Sequence, residues 1–322
     1  MRRTMKKYTG QILSLCAVVL VFAMLNLAIY NIFTYRCISR YSEGMQAKSV
    51  ELGEYLPFDE GSKIVDRKSE LTIKGELPVI DGAAAFYPVF SAFVNSIYPE
   101  DSVEFDGENF VEGSALQYSN TRGAYRAIVD GDIDIAICLQ PSEEQRKYAE
   151  DAGVSLTYVP IAREAFVFLV NEKNPVDSLS TEEIKGIYTG KYNNWRELGG
   201  ENKPIGALHR NAGSGSQTTM LDFMGEEKIK TDYDSFLGSA IGFSFRFYVE
   251  GVVGEGSVKL LSVDGVYPNA ENIKNGSYPI VKEIYAVYRT DDDNANVETV
   301  IDWMLSDEGQ SIIEDTGYVG IK

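Results

Sequence analysis

Between Lys7 and Arg36 the chain runs through ILSLCAVVLVFAMLNLAIYNIF, from Ile12 to Phe33, with only Ser14, Asn26 and Asn31 as clearly polar breaks. At a helical rise of about 1.5 Å per residue this run reaches roughly 33 Å, enough for the hydrocarbon core of a bilayer. A cleavable leader would carry a shorter apolar core, about 7–15 residues, followed by small residues. Here the run is longer and leads into bulky Tyr30, Phe33 and Tyr35, while Leu15 before Cys16 fits a lipoprotein cleavage site poorly. The expectation is a retained transmembrane anchor over 12–34. Arg2, Arg3, Lys6 and Lys7 precede it, so the tail 1–11 is placed in the cytoplasm and the chain beyond about residue 35 outside.

Charge divides the chain at the same place. Residues 1–40 hold six basic residues and no acidic one, whereas the whole chain has 30 Lys+Arg against 48 Asp+Glu, a net −18. The part beyond residue 40 therefore carries 24 basic and 48 acidic residues, a net −24. That balance excludes a nucleic-acid binder, which needs a basic face to displace counterions. The short tail excludes a folded cytoplasmic output, so the work falls to the exterior part. One His and three Cys offer little for a zinc site or a Cys/His nucleophile pair, and neither a metal nor a cofactor is expected. Cys37 and Cys138 could pair outside the cell, or each could serve as a small apolar residue.

Residues 35–76 read as a stalk and first strand, with YLPF at 55–58 packing on the domain. Strand-like and helix-like segments then alternate. Leu77–Ile80 is a short apolar run, and Phe86–Tyr98 places Phe86, Val89, Phe90, Phe93, Val94 and Ile97 on one helical face, with Pro88 in its first turn. Helices are predicted over Thr121–Asp130 and Ser142–Ala152, with strands over Asp132–Cys138, Leu156–Val159 and Ala165–Val170. Ser180 and Glu183 form a capping box that opens a helix through Tyr188. Ile205–Leu208 is a strand entering a Gly/Ser loop and a further helix, and 295–315 is helical. This alternation predicts α/β layers with mostly parallel sheets, which bind ligands beyond the carboxyl ends of their strands.

Three strand-to-helix junctions share a chemistry. In HRNAGSGSQT, Gly213 and Gly215 let backbone N–H groups converge, Ser214 and Ser216 add hydroxyls, and Arg210 adds a planar fork matched to an oxyanion. The segment lacks the Gly-Lys-Ser/Thr of a nucleotide-binding loop and the G-x-S-x-G of a nucleophile elbow. DGAAAFYP at 81–88 puts small residues at a helix start, and Ser119-Asn120-Thr121 opens the next helix. Each alone also reads as a flexible turn or an ordinary N-cap.

Together, PVIDGAAAFYPVFSAFVNSIYP, HRNAGSGSQTT, VKLLSVDGVYPNAENIKNGSYPI and the terminal DTGYV resemble the phosphate-binding proteins of ABC transporters. These belong to the type II periplasmic-binding-protein superfamily, and the likeness covers about 50–322, nearest to the membrane-anchored Gram-positive branch. It implies a two-lobed α/β fold with hinge strands behind one N-terminal transmembrane helix. Lobe 1 would comprise 77–160 and 263–322, and lobe 2 would comprise 161–262. It implies a non-enzymatic monomer that captures inorganic phosphate or a related oxyanion by lobe closure and delivers it to ABC permease subunits. Carried over by motif, Ala85 and Phe86 would offer backbone N–H groups, Ser119 a hydroxyl and Arg210 a charged contact. Ser214, Gly215 and Ser216 would cap the anion from the second lobe, with Thr121 and Gln140 as additional candidates.

Two departures stand out. Ala84-Ala85 replaces a Thr or Ser of the family's first loop, and Leu139-Gln140 occupies the region of a carboxylate that accepts the phosphate proton and repels sulfate. These leave a second class open, a surface scaffold or sensor that keeps the fold but binds no ligand or another oxyanion. An enzyme with Ser214 or Ser216 as nucleophile would need His209 as base, but His209 adjoins Arg210 in a strand-like run and should face the other way. Trp195 and the run Phe243, Phe245, Phe247, Tyr248 read as lobe packing.

Overall fold

The structure is a computed structural model that describes residues 18–29 and 50–322, apart from 231–238 and 254–257. It divides into two units, Met1–Gly44 and Met45–Lys322. In the first, residues 18–29 form a helix, α1, whose large apolar side chains, Phe22, Leu25 and Ile29 among them, are all exposed. Among the described residues no helix is long and apolar enough to cross a membrane. The remainder of the run expected to form the anchor lies outside the described residues, as do the basic tail 1–11, Cys16 and Cys37.

The second unit is a two-lobed α/β fold. Its strands are β1 (Ile80–Gly82), β2 (Ile135–Cys138), β3 (Leu156–Asn171), β4 (Ser178–Leu179), β5 (Ile205–Ala207), β6 (Ser239–Phe245), β7 (Val258–Leu260), β8 (Ser262–Val263), β9 (Val281–Arg289) and β10 (Val319–Gly320). The main sheet runs in the order β1-β2-β9-β3-β6-β5. The expectation of mostly parallel sheets is corrected here. Among the named strands, β1–β2, β5–β6 and β4–β8 pair in parallel, while β9 lies antiparallel to β2 and to β3, and β3 is antiparallel to β6, β7 and β10.

The physical reason is β3. Two short strands were expected over 156–170, because Pro160, Arg163 and Glu164 interrupt the apolar pattern. Instead one 16-residue strand runs through both lobes, with a register shift against β9 between Pro160 and Ala162. Its first half pairs with β9 and β10 and its second half with β6 and β7. A strand this long carries the main sheet from one lobe into the other, so the lobes are joined by continuous backbone.

The helices of this unit are α2 (Tyr87–Ile97), α3 (Asn120–Asp130), α4 (Glu143–Ala152), α5 (Thr181–Tyr188), α6 (Gly215–Met224), α7 (Ala270–Lys274), α8 (Asn296–Met304) and α9 (Asp307–Thr316). The capping box predicted at Ser180 is present, and Ser142 with Gln145 makes a second at α4. All of α2 is buried, polar residues included, because residues 50–73 lie across it. Ser91 Oγ donates to the Tyr55 carbonyl at 2.5 Å, and Asn95 Oδ1 accepts from the Phe58 N–H at 2.9 Å. Tyr55 itself is buried, as the YLPF reading expected. The helical tail splits in two because Ser306 caps a new start, accepting from the Gly309 N–H at 3.2 Å. Gly309 is needed there, since a Cβ would sit 2.7 Å from the Met304 Cα. Cys138 is a free, buried thiol in β2.

Candidate functional site

The lobe 1 half begins where β1 ends. Gly82 lets β1 approach β2, since a Cβ there would lie 2.5 Å from the Ile137 carbonyl oxygen and 2.8 Å from the Phe90 ring. The chain then makes a 3₁₀ turn, Ala84–Phe86, into α2. Ala83 N–H donates to Ile137 O at 3.0 Å and Phe86 N–H to Ala83 O at 2.8 Å. The Phe86 N–H is thus engaged internally, while those of Ala84 and Ala85 are taken by no described residue. The Phe86 ring is buried between Phe245 and Tyr318, at centroid distances of 6.1 and 6.0 Å, and the Tyr318 hydroxyl donates to the Ala85 carbonyl.

Ser119 precedes α3 but does not cap it with its side chain. Its N–H donates to Asp81 Oδ1 at 2.9 Å and its hydroxyl donates to Asp81 Oδ2. Gly82 N–H also donates to Asp81 Oδ1, at 2.6 Å. Asp81 is 1% exposed; burial raises its pKa, and the Ser119 and Gly82 donors oppose that shift. Gly123 makes room for this arrangement, because a Cβ there would meet Ser119 Cβ at 2.5 Å. Thr121 is buried in the first turn of α3, where N–H groups have no intrahelical acceptor.

The lobe 2 half is the loop from β5 to α6. Ser214 caps α6 by accepting from the Gln217 N–H at 3.2 Å, and Gln217 Oε1 accepts from the Arg210 N–H at 2.8 Å, which ties the loop to its helix. Gly213 has φ +77°, the left-handed conformation the turn requires. Gly215 and the buried Ser216 form the first turn of α6. Arg210 is half-buried, and no carboxylate lies within ion-pair distance of its guanidinium among the described residues. Burial lowers its pKa, and the neighbouring Tyr248 opposes the shift. A guanidinium remains protonated through such shifts.

The two halves face each other. A Cβ on Gly215 would lie 3.3 Å from Leu139 Cδ1 and 3.5 Å from Thr121 Oγ1, and one on Gly213 would lie 3.6 Å from Arg122 Cδ. The first turns of α3 and α6 are therefore neighbours across the lobes, and their partial positive charges add. Gln140, by contrast, is exposed and its side chain meets the Tyr285 hydroxyl. His209 packs edge-on against Tyr188 at 6.0 Å, and burial lowers its pKa. Two residues were read in the sequence but not nominated for the site. Asp81 stood first in the DGAAAFYP motif, a carboxylate at the end of an apolar run, and Tyr248 was read as lobe packing, being one aromatic among several. Among the described residues no group of His, Cys, Asp and Glu could hold a metal ion.

A family model described as a PBP superfamily domain matches residues 78–308. The chain belongs to the PBP superfamily. Among curated relatives, a phosphate-binding protein PstS of Bacillus subtilis is 27% identical over 267 residues, 79% of this chain and 83% of that one. A phosphate-binding protein PstS of Borreliella burgdorferi is 25% identical over 181 residues, covering 50% of this chain and 64%, just under two thirds, of the relative. Among solved structures, one with bound phosphate from Clostridium perfringens, assigned to a phosphate ABC transporter's substrate-binding protein, has 25% identity and a TM-score of 0.59. It covers 76% of this chain and 99% of the other. An ABC-type phosphate transport receptor from Vibrio cholerae, at 18% identity and TM-score 0.53 over 75% and 99%, shares the fold.

Proposed function

We propose that this chain is a membrane-tethered, extracytoplasmic solute-binding protein that captures inorganic phosphate for an ABC permease and catalyses no reaction. The observation that carries the reading is Arg210, a half-buried guanidinium with no carboxylate partner among the described residues, beside the paired first turns of α3 and α6. A half-buried cation without a counter-charge is unfavourable, and a bound anion supplies the missing charge. In this reading the N–H of Ala85, the Ser119 side chain, and Ser214, Gly215 and Ser216 surround the anion. Thr121 and Ala84 lie beside them, and the buried Phe86 ring holds the first loop in place. Ligand bridges the lobes and biases an open–closed equilibrium about β3 and β9, and the closed form docks on the permease.

A −24 exterior does not oppose this. Surface charge is screened beyond about 8 Å at physiological salt, whereas each local hydrogen bond to a charged group contributes roughly 1.5–3 kcal/mol. The apolar run 12–34, with basic residues before it, supports a membrane tether with the N-terminus inside. The test is calorimetry on the ligand-stripped full-length chain. Phosphate should bind the wild type and bind Arg210→Ala far more weakly; wild-type affinity in that variant removes the site assignment. Ala84, Ala85 and Leu139 offer no side-chain hydrogen-bonding group and favour a second reading, a scaffold without ligand or with another oxyanion. Absence of heat with phosphate selects that reading.

A further inference from the structure

A serine hydroxyl has one proton to give, and the direction in which it is given decides what the oxygen shows to a ligand. In Ser119 the proton goes to Asp81 Oδ2, while the backbone N–H of the same residue holds Asp81 Oδ1 at 2.9 Å. Gly82 N–H pins Oδ1 again at 2.6 Å, so the carboxylate is oriented by two backbone donors that cannot reverse their roles. Asp81 is 1% exposed, and Gly123 leaves the space in which Ser119 reaches it. Meanwhile Leu139, which departs from the carboxylate that the resembling family carries in this region, is a buried hydrocarbon, and the Gln140 side chain meets the Tyr285 hydroxyl.

We infer that Asp81 is the specificity-determining residue of this site. By taking the Ser119 proton it makes Ser119 an acceptor toward the ligand, so the site selects oxyanions that still carry a proton. The inference rests on the oxyanion reading above. Phosphate near neutral pH keeps a P–OH group that donates to Ser119 Oγ. Sulfate has none, so its oxygens would face the lone pairs of Ser119 with the Asp81 charge behind them, an unpaired and repulsive contact. Asp81 acts through Ser119 and is a positioning residue.

The consequence is an unusual gain of binding. In Asp81→Asn the carboxamide oxygen keeps the two backbone N–H groups, so its NH₂ takes the place of Oδ2 and donates to Ser119 Oγ. The serine proton is then free to point at the ligand, and a site that refused sulfate accepts it. The experiment is calorimetric titration of the ligand-stripped full-length chain and its variants, with potassium phosphate and separately with sodium sulfate. The wild type should prefer phosphate. In Asp81→Asn, sulfate should bind more tightly and the phosphate-to-sulfate ratio should fall roughly tenfold to a hundredfold, the worth of one hydrogen bond to a charged group. Phosphate binding with an unchanged ratio in Asp81→Asn overturns the inference, as does a wild type that binds the two anions equally. If Asp81→Asn does not fold, Ser119→Ala, which leaves both backbone bonds to Asp81 in place, must lower the same ratio, and an unchanged ratio there has the same force. A wild type that does not bind phosphate instead overturns the oxyanion reading on which this one stands.

Discussion

Two arginines in the second half of the chain are withdrawn from water, and they are treated in opposite ways. Arg246, 9% exposed, donates to Glu250 at 2.7 Å and to the Gly317 carbonyl, and its Nε lies 3.5 Å from Glu164. Glu164 is fully buried on β3, where the strand passes between lobes, and also accepts from the Ala165 and Phe247 N–H groups at 2.8 and 3.2 Å. Arg210 has its backbone N–H engaged by Gln217, but its guanidinium faces Tyr248 with no carboxylate partner among the described residues. The first arginine is balanced by its own protein and fastens structure. The second has no such internal balance among the described residues, and in the proposed reading a bound anion supplies it. Charge balance, more than burial, is what distinguishes the two arginines.

The contrast can be broken from either side. Arg246→Met should cost about 3–5 kcal/mol of stability in denaturant unfolding, because it strands Glu164 in the interior. Arg210→Met should do the reverse. The ligand-free protein should keep its stability within about 1 kcal/mol, while phosphate affinity measured by calorimetry falls by roughly 2–5 kcal/mol. Equal loss of stability in both variants would erase the distinction.

A pH series sharpens the same comparison. Burial pushes the Glu164 carboxyl up to about 7 even with Arg246 beside it. Between the ordinary carboxyl range and that value the folded chain keeps a proton that the unfolded chain has released. Its contribution is therefore full at low pH and is lost as pH rises through about 7. Melting temperature should fall less steeply between about pH 5 and pH 8 in Glu164→Gln than in the wild type. The smallest effect is expected at Ser214, whose cap on α6 is worth about 1 kcal/mol. Thermal melting of Ser214→Ala should show that loss without the pH dependence of the Glu164 pair.

The turns and caps that flank the proposed site were legible because they are local. Gly213, Ser214 and Gly215 announce a strand-to-helix turn within a few residues, and Arg210 sits in the same stretch. Ser180 and Glu183 announced a cap in the same way. What stayed hidden was non-local or carried no periodic signal. Asp81 meets a partner 38 residues away, a pairing that no spacing rule reaches. β9 alternates Lys282 and Glu283 with Ile284 and Ala286, too mixed to declare a buried strand, yet it sets the antiparallel centre of the sheet. β3 concealed its continuity behind Pro160 and Glu164, because a strand crossing from one lobe to another must carry polar residues at the crossing.

The Tyr318 hydroxyl is bonded to the Ala85 carbonyl, 233 residues earlier in the chain. A ribosome adding about 5–20 residues per second completes the second long after the first, a delay of roughly ten to fifty seconds. During that interval the turn that opens α2 lacks one of its anchors, and the Phe86 ring lacks one of the two aromatics that enclose it. The 84–86 turn, written early in the chain, is thus among the last elements to be finished, and a nascent molecule acquires its fully supported α2 entry only after the segment bearing Tyr318 has emerged.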